Sequence, residues 1–323
     1  MGKCNKKPEK MIIAYNLSSI YQIYNFLCLY VNKYDNMPAY IKLSSYWDVD
    51  VFNGELLEQI ENTFNILFIR PGEYSGKIND ILLEYSSSDI YFVTVNDIPL
   101  SSSIIKNGSK VTIIEDGIGY YASKRTKIAR HYNERGFKAA CREFTKQMII
   151  KLIRKKFTLD KFTLFKDDLT PNSNFISAWL EVDARLGRKK YDVINPSLIY
   201  CSQPLSELGF VSPEVESRLI DVIFNKALLN NKKFWIKKHP VEANEKFSGH
   251  DVIRENCNIE FLFRDKMFGK DSEVVSLCST CLLTLSLVYD IKTFYLDVKT
   301  NFKLDPKQKF LFETYSKALN IDD

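Results

Sequence analysis

Short apolar runs and stretches of helical period alternate through the first 115 residues. Residues 11–15 (MIIAY) form the kind of unbroken apolar run that a strand buried on both faces presents. Asn16-Leu17-Ser18-Ser19 ends it and supplies a helix cap. Apolar side chains then recur at Ile20, Ile23, Tyr24, Leu27, Cys28 and Val31, which is one face of a helix. The same alternation predicts strands at 39–43, 65–70, 89–95 and 110–115, with helices at 53–64 and 77–85. Strands spaced by helices make βαβ units and a mostly parallel sheet.

From 121 to about 165 the pattern becomes helical, basic and amphipathic. Residues 166–195 are mixed, with turn signals at Asp167-Asp168, Pro171-Asn172 and Asn195-Pro196, so a domain boundary is expected near 190. The alternation then resumes, with strands at 197–202, 234–238 and 292–298 and helices at 212–229, 279–288 and 306–319. Ser212 caps the first of these helices, Pro213 fits its first turn, and Glu214 and Glu216 suit its positive end. The expected organisation is α/β: a Rossmann-like domain over 1–190, a second over 191–305, and a closing helix over 306–323 that packs back on the first. Two such lobes facing a cleft suggest, by analogy of fold alone, a sugar-nucleotide transferase.

Composition narrows the class. A chain of 323 residues is long enough for two domains of roughly 150 residues each, with cores that need no staple. Hydrophobic residues at 45% and aromatics at 13% exclude disorder as the main state. The net charge of +5 is mild, but residues 121–160 hold twelve Lys/Arg against three acids, so the basicity is local. The seven cysteines are odd in number and scattered, as expected of reduced core thiols in a cytosolic protein. Cys278 and Cys281 form one C-x-x-C, without the second pair a zinc ribbon needs. Residues 11–32 carry no charge, yet Asn16, Ser18, Ser19, Gln22, Asn25 and Asn32 make them too polar for a membrane span or signal peptide.

Candidate chemistry gathers at strand ends. Asp116, in Glu115-Asp116-Gly117, follows a predicted strand, where ligand crevices of open α/β sheets lie. Gly117 allows a sharp turn, and a carboxylate there can act as general base or simply cap the next helix. His239, in Lys237-Lys238-His239-Pro240, ends a strand of the second lobe beside two lysines that suit an anionic ligand. His131 and His250 are expected at the surface. Ser279-Thr280 opens a helix, where free N–H groups and the helix dipole favour an anion. Asp48-Val49-Asp50 looks like a metal-holding D-x-D, but with 21 Asp in the chain about one or two such triplets arise by chance. No P-loop, G-x-G-x-x-G or H-E-x-x-H is present.

Taken in order, E-D-G after a first-lobe strand, H-P after a second-lobe strand and a Ser-Thr pair at a later helix start resemble the three short motifs of bacterial sialyltransferases. The layout is similar to glycosyltransferase family 52, the lipooligosaccharide and capsule sialyltransferases, with further echoes at Ser19-Ile20-Tyr21-Gln22 and Gln203-Pro204-Leu205. Lys238 departs from the Pro that related polysialyltransferases place before His-Pro.

The resemblance implies a GT-B type fold and an inverting, metal-independent transfer of sialic acid from CMP-sialic acid, with no cofactor. It implies Asp116 as general base and His239 as the group that stabilises or protonates the departing phosphate. Ser279, Thr280, Gln203, Lys238, Pro240 and Gly117 would serve the donor site, and Ser19 and Gln22 would line the cleft. The implied acceptor is a terminal galactose of a lipid-linked surface glycan, joined α2,3. Alternatives of the same class are α2,6 transfer, polysialylation and CMP-Kdo transfer. Some members of that family are dimers, which leaves a homodimer open. The basic residues between 124 and 156 would dock on anionic lipid at the inner membrane face, making the protein cytoplasmic and peripheral. Nucleic acid is not an expected partner: RNA binding would explain the basic helices but not Asp116 and His239, and no aromatic-basic RNA motif is present.

Overall fold

The structure is a computed structural model that describes residues 10–44, 54–70, 89–95, 110–123, 126, 128–129, 132, 136–154, 159–194, 196–239, 242, 245–255, 257–298 and 304–320. The expected helix at 77–85, the Asp48-Val49-Asp50 triplet, Pro240, His131 and part of the basic stretch lie outside these residues.

The chain divides into two compact units. The first comprises Met1–Asp116 and Lys124–Leu186. Its sheet runs β3-β2-β1-β4-β5-β6, with β1 Met11–Leu17, β2 Ala39–Leu43, β3 Ile66–Ile69, β4 Ile90–Val95, β5 Lys110–Ile114 and β6 Leu159–Phe162. Every pair is parallel. Met11, Ile12, Ile13 and Ala14 of the central strand are wholly buried, as the unbroken apolar run requires of a strand covered on both faces. Helices α1 (Ile20–Lys33), α2 (Gly54–Thr63), α3 (Phe137–Arg154) and α4 (Ser173–Leu186) belong to this unit. Trp179 of α4 packs its ring 4.7 Å from that of Tyr24 on α1, whose hydroxyl bonds to Asp183. Arg185 closes the same pair of helices with two 2.7 Å bonds to Asp35, just beyond α1.

The second unit comprises Gly117–Ser123 and Gly187–Asp323. Its sheet runs β11-β10-β9-β7-β8, again parallel throughout, with β7 Ser197–Cys201, β8 Lys233–Lys237, β9 Glu273–Ser276, β10 Lys292–Asp297 and β11 Lys317–Asn320. Its helices are α5 (Pro213–Leu229), α6 (Ile259–Arg264), α7 (Thr280–Tyr289) and α8 (Pro306–Tyr315).

Several expectations change. Residues 159–162, expected to be helical, are an edge strand beside β5, which needs a hydrogen-bonding partner on one side only. The mixed stretch 166–195 contains α4, whose Phe175, Ala178, Trp179, Val182 and Leu186 bury one face. The closing helix stops at Tyr315, and the next residues join the sheet as β11. That helix clusters with the second unit. The residues it holds, Gly117–Ser123, fall within the 1–190 span in number but within the second unit in space. His250 is half-buried, its ring 5.3 Å from Phe224 and 5.5 Å from Phe234.

Candidate active site

The second unit brings most of the predicted residues to one edge of its sheet. β8, β7 and β9 are adjacent and parallel, so their carboxyl ends share an edge. Gln203 follows β7, Lys238 and His239 follow β8, and Ser279 and Thr280 follow β9. Strand order reverses between β7 and β9, which is where open α/β sheets form their ligand crevice. Gln203 and Cys278 meet across this point, the Cys278 thiol donating to Oε1 of Gln203 at 3.3 Å.

Ser279 is the N-cap of α7, yet its hydroxyl makes no capping bond to that helix. Thr280 begins the helix and reaches a different segment. Its Oγ1 accepts the Ile118 N–H at 2.8 Å. Gly117, one residue earlier, has φ of +109°, a conformation that favours glycine. A Cβ on it would stand 2.5 Å from Thr280 Oγ1. Gly117, the last residue of the E-D-G motif, therefore meets the Ser-Thr pair within the second unit. Gln308 of α8 donates to the Ile118 carbonyl at 2.9 Å, and Asp305 accepts the Ser123 N–H at 3.0 Å.

Asp116 is the last residue of the first unit before this segment, and it is exposed. Its neighbour Glu115 is wholly buried and fixes the end of β5. The Glu115 carboxylate accepts the Tyr21 hydroxyl at 2.8 Å and the Leu164 N–H at 3.2 Å, while Asn25 donates to its backbone carbonyl at 3.0 Å. Sequence reasoning singled out Asp116 and overlooked Glu115, whose strict burial holds the turn that presents Asp116.

His239 is half-buried. Burial holds its imidazole below the usual histidine range, and the carboxylates of Glu242 and Glu207 push in the opposite direction. Glu242 grips the His239 backbone: its carboxylate accepts the His239 N–H at 2.9 Å and its own N–H donates to the His239 carbonyl at 3.0 Å. Lys237 is also drawn below the usual lysine range by burial and donates to the Glu255 carbonyl at 2.9 Å. Lys238 is half-buried.

Ser19 and Gln22 follow β1, at the strand-order reversal of the first sheet. Their polar groups serve the helix start: Ser19 accepts the Gln22 N–H at 3.2 Å and Gln22 Oε1 accepts the Ser18 N–H at 2.7 Å. Gln22 is buried.

These two parallel α/β units have known counterparts. The chain has the fold of a galactoside α-2,3-sialyltransferase from the marine bacterium Photobacterium phosphoreum, at TM-score 0.54 and 12% identity, covering 96% of this chain and 98% of that one. A UDP-GlcNAc 2-epimerase from Methanocaldococcus jannaschii matches at TM-score 0.51 and 10% identity, over 96% of this chain and 88% of that one. No individually curated protein matches in sequence. Two Rossmann-like domains of this kind define the GT-B class of glycosyltransferases. Within that class the family model of the alpha-2,8-polysialyltransferases matches residues 55–298, and the chain belongs to that family. It is a sialyltransferase-class enzyme, and the expectation of a bacterial sialyltransferase similar to family 52 is borne out.

Proposed function

We propose that the protein transfers sialic acid, with inversion, from CMP-sialic acid to a galactose hydroxyl of a bacterial surface glycan, forming an α2,3 link. Asp116 removes the acceptor proton. The acceptor oxygen attacks C2 of the sialic acid through an oxocarbenium-like transition state, and the bond to the CMP phosphate breaks. His239 stabilises or protonates the departing phosphate, while Ser279 and Thr280 hold it at the start of α7. Gln203, Lys238, Gly117 and Pro240 complete the donor site, and the reaction needs no metal. The supporting observation is the junction of two motifs, with Thr280 accepting the N–H next to Gly117, one peptide bond beyond Asp116.

The acceptor has a second reading. Membership of the alpha-2,8-polysialyltransferase family favours a glycan that already ends in sialic acid. CMP release from CMP-sialic acid separates the two, measured with lactose, with sialyllactose and without acceptor, for wild type and Asp116→Ala. Release that depends on lactose and vanishes in the variant supports the first reading. Release only with sialyllactose supports the second. No release with either sinks both.

Membrane docking remains part of the proposal. Lys138, Arg142 and Lys146 on α3 are exposed, as are Phe137, Phe144 and Met148, so basic and apolar groups share an accessible helix. Among the described residues no helix is long and apolar enough to cross a membrane. An amphipathic basic helix of this kind suits a surface of anionic lipid.

A further inference from the structure

Around the His239 loop the second unit assembles four charged groups that the sequence scatters over 40 residues. Glu207, Glu216 and Glu242 bring carboxylate oxygens within 4.8 Å of one another. Such a trio could hold a cation, but the ammonium of Lys246 already stands among them. Its Nζ lies 2.6 Å from Glu242 Oε1, 2.7 Å from Glu216 Oε1 and 3.0 Å from Glu207 Oε2. The ammonium donates hydrogen bonds to Glu242 and Glu207, and Glu216 adds an ion pair without one. The Glu242 and Glu216 side chains are almost wholly buried, at 0% and 2% exposure. Buried carboxylates need a charge partner, and Lys246 is the cation that meets all three. Burial works against the Lys246 charge, but the carboxylates outweigh it and raise its pKa above the usual lysine value.

The consequence reaches His239 through the other oxygen of Glu242. Oε1 takes Lys246, while Oε2 accepts the His239 N–H at 2.9 Å and the Ser202 hydroxyl. Ser202 in turn stands 3.3 Å from the same N–H, at the end of β7. Glu216 Oε2 accepts the Ser206 N–H at 3.2 Å, so the same ammonium also steadies the loop that carries Gln203.

We propose that Glu242, anchored by Lys246, is a positioning residue for His239, fixing its backbone at the carboxyl edge of the sheet and setting the charge its imidazole meets. The inference rests on the reading of His239 as the group that meets the departing phosphate. The charges that act on the imidazole are Glu242 on its own loop and Glu207 after β7, and both are tied to Lys246, in the turn at Glu245–Phe247, which also meets Glu216 at the start of α5.

The test uses the full chain and the variants Glu242→Gln, Lys246→Met and His239→Asn. CMP release gives kcat and the donor KM per folded molecule. The titration of His239 is followed by NMR of the imidazole without substrate, assigned through His239→Asn among three histidines. Glu242→Gln is expected to lower kcat about tenfold or more with donor KM little changed, since small misplacements at a reacting group are costly. It should also move the His239 titration to lower pH, because a stabilising negative charge is gone. Lys246→Met should lower kcat in the same way but move the titration upward, because a positive charge is gone. Equal losses with opposite titration shifts are a signature that a merely structural role would not produce. Wild-type kcat per folded molecule or an unmoved titration in Glu242→Gln overturns the inference. If that variant does not fold, the same two readouts on Lys246→Met decide it. Wild-type kcat in His239→Asn overturns instead the underlying role of His239.

Discussion

Thr280 Oγ1 stands 2.5 Å from where the Cβ of any residue other than glycine at 117 would fall. Two motifs more than 160 residues apart are thereby fitted to each other at the level of single atoms. The same hydroxyl accepts the Ile118 N–H at 2.8 Å. Gly117 thus serves two needs at once, the positive φ of the turn and the empty space beside Thr280.

Gly117→Ala is expected to destabilise the chain by about 1–3 kcal/mol, from the strained φ alone and more from the contact. Adding Thr280→Ala should relieve the contact but not the φ strain. The two substitutions should therefore be less than additive in urea unfolding, with a coupling of about 0.5 kcal/mol or more. Strict additivity would show that the close approach does not shape this turn.

Asp116→Asn should leave stability within about 0.5 kcal/mol of wild type, because the residue is exposed. Transfer should fall by about 10²–10⁴-fold, the usual contribution of a positioned base. Steady-state CMP release beside a thermal melt checks both halves. A variant with unaltered turnover would remove Asp116 from the reaction.

The Arg185 guanidinium holds the Asp35 carboxyl below the usual carboxylate range. A depressed folded-state value means that this pair stabilises the fold above the unfolded-state pKa of about 3.9. The contribution disappears as pH falls through the folded value. Asp35→Asn should flatten the fall in stability of the first unit below about pH 4. Urea midpoints at pH 3 to 6 are the measurement, and parallel curves for the two proteins would contradict it.

Lys138, Arg142 and Lys146 replaced together by Gln should weaken binding to vesicles rich in phosphatidylserine by about a hundredfold at low salt, at about 1 kcal/mol per lost charge near the surface, and by less where salt screens them. Turnover of a soluble acceptor should be unchanged. Equal loss of both would point to a structural role for α3.

Much of this fold is legible in the chain because parallel strands buried on both faces are unbroken apolar runs. Met11–Leu17 and Ser197–Cys201 are easy to read for that reason. Leu159–Phe162 is not, because it is only four residues long and its adjacent Asp160 and Lys161 merge with the basic stretch before it. Glu273–Ser276 is only four residues long. At the site, Asp116, His239 and Thr280 stand at strand ends, and position along the chain suffices to find them. Glu115, Glu242 and Lys246 escape because their importance lies in tertiary contacts. Glu216 sits in the first turn of α5 where a carboxylate suits the helix dipole, but its carboxylate also meets Lys246.

The second unit is stitched from two distant pieces of chain, and this matters on the ribosome. Gly117–Ser123 must wait for Asp305 and Gln308 before its Ser123 N–H and Ile118 carbonyl find their partners. At about 5–20 residues per second, that delay is on the order of 10–40 seconds. For that interval the glycine turn beyond Asp116 lacks these two contacts, while all residues of the first unit are already made. The start of α8, rather than any strand, therefore sets the moment at which the turn beyond Asp116 is held.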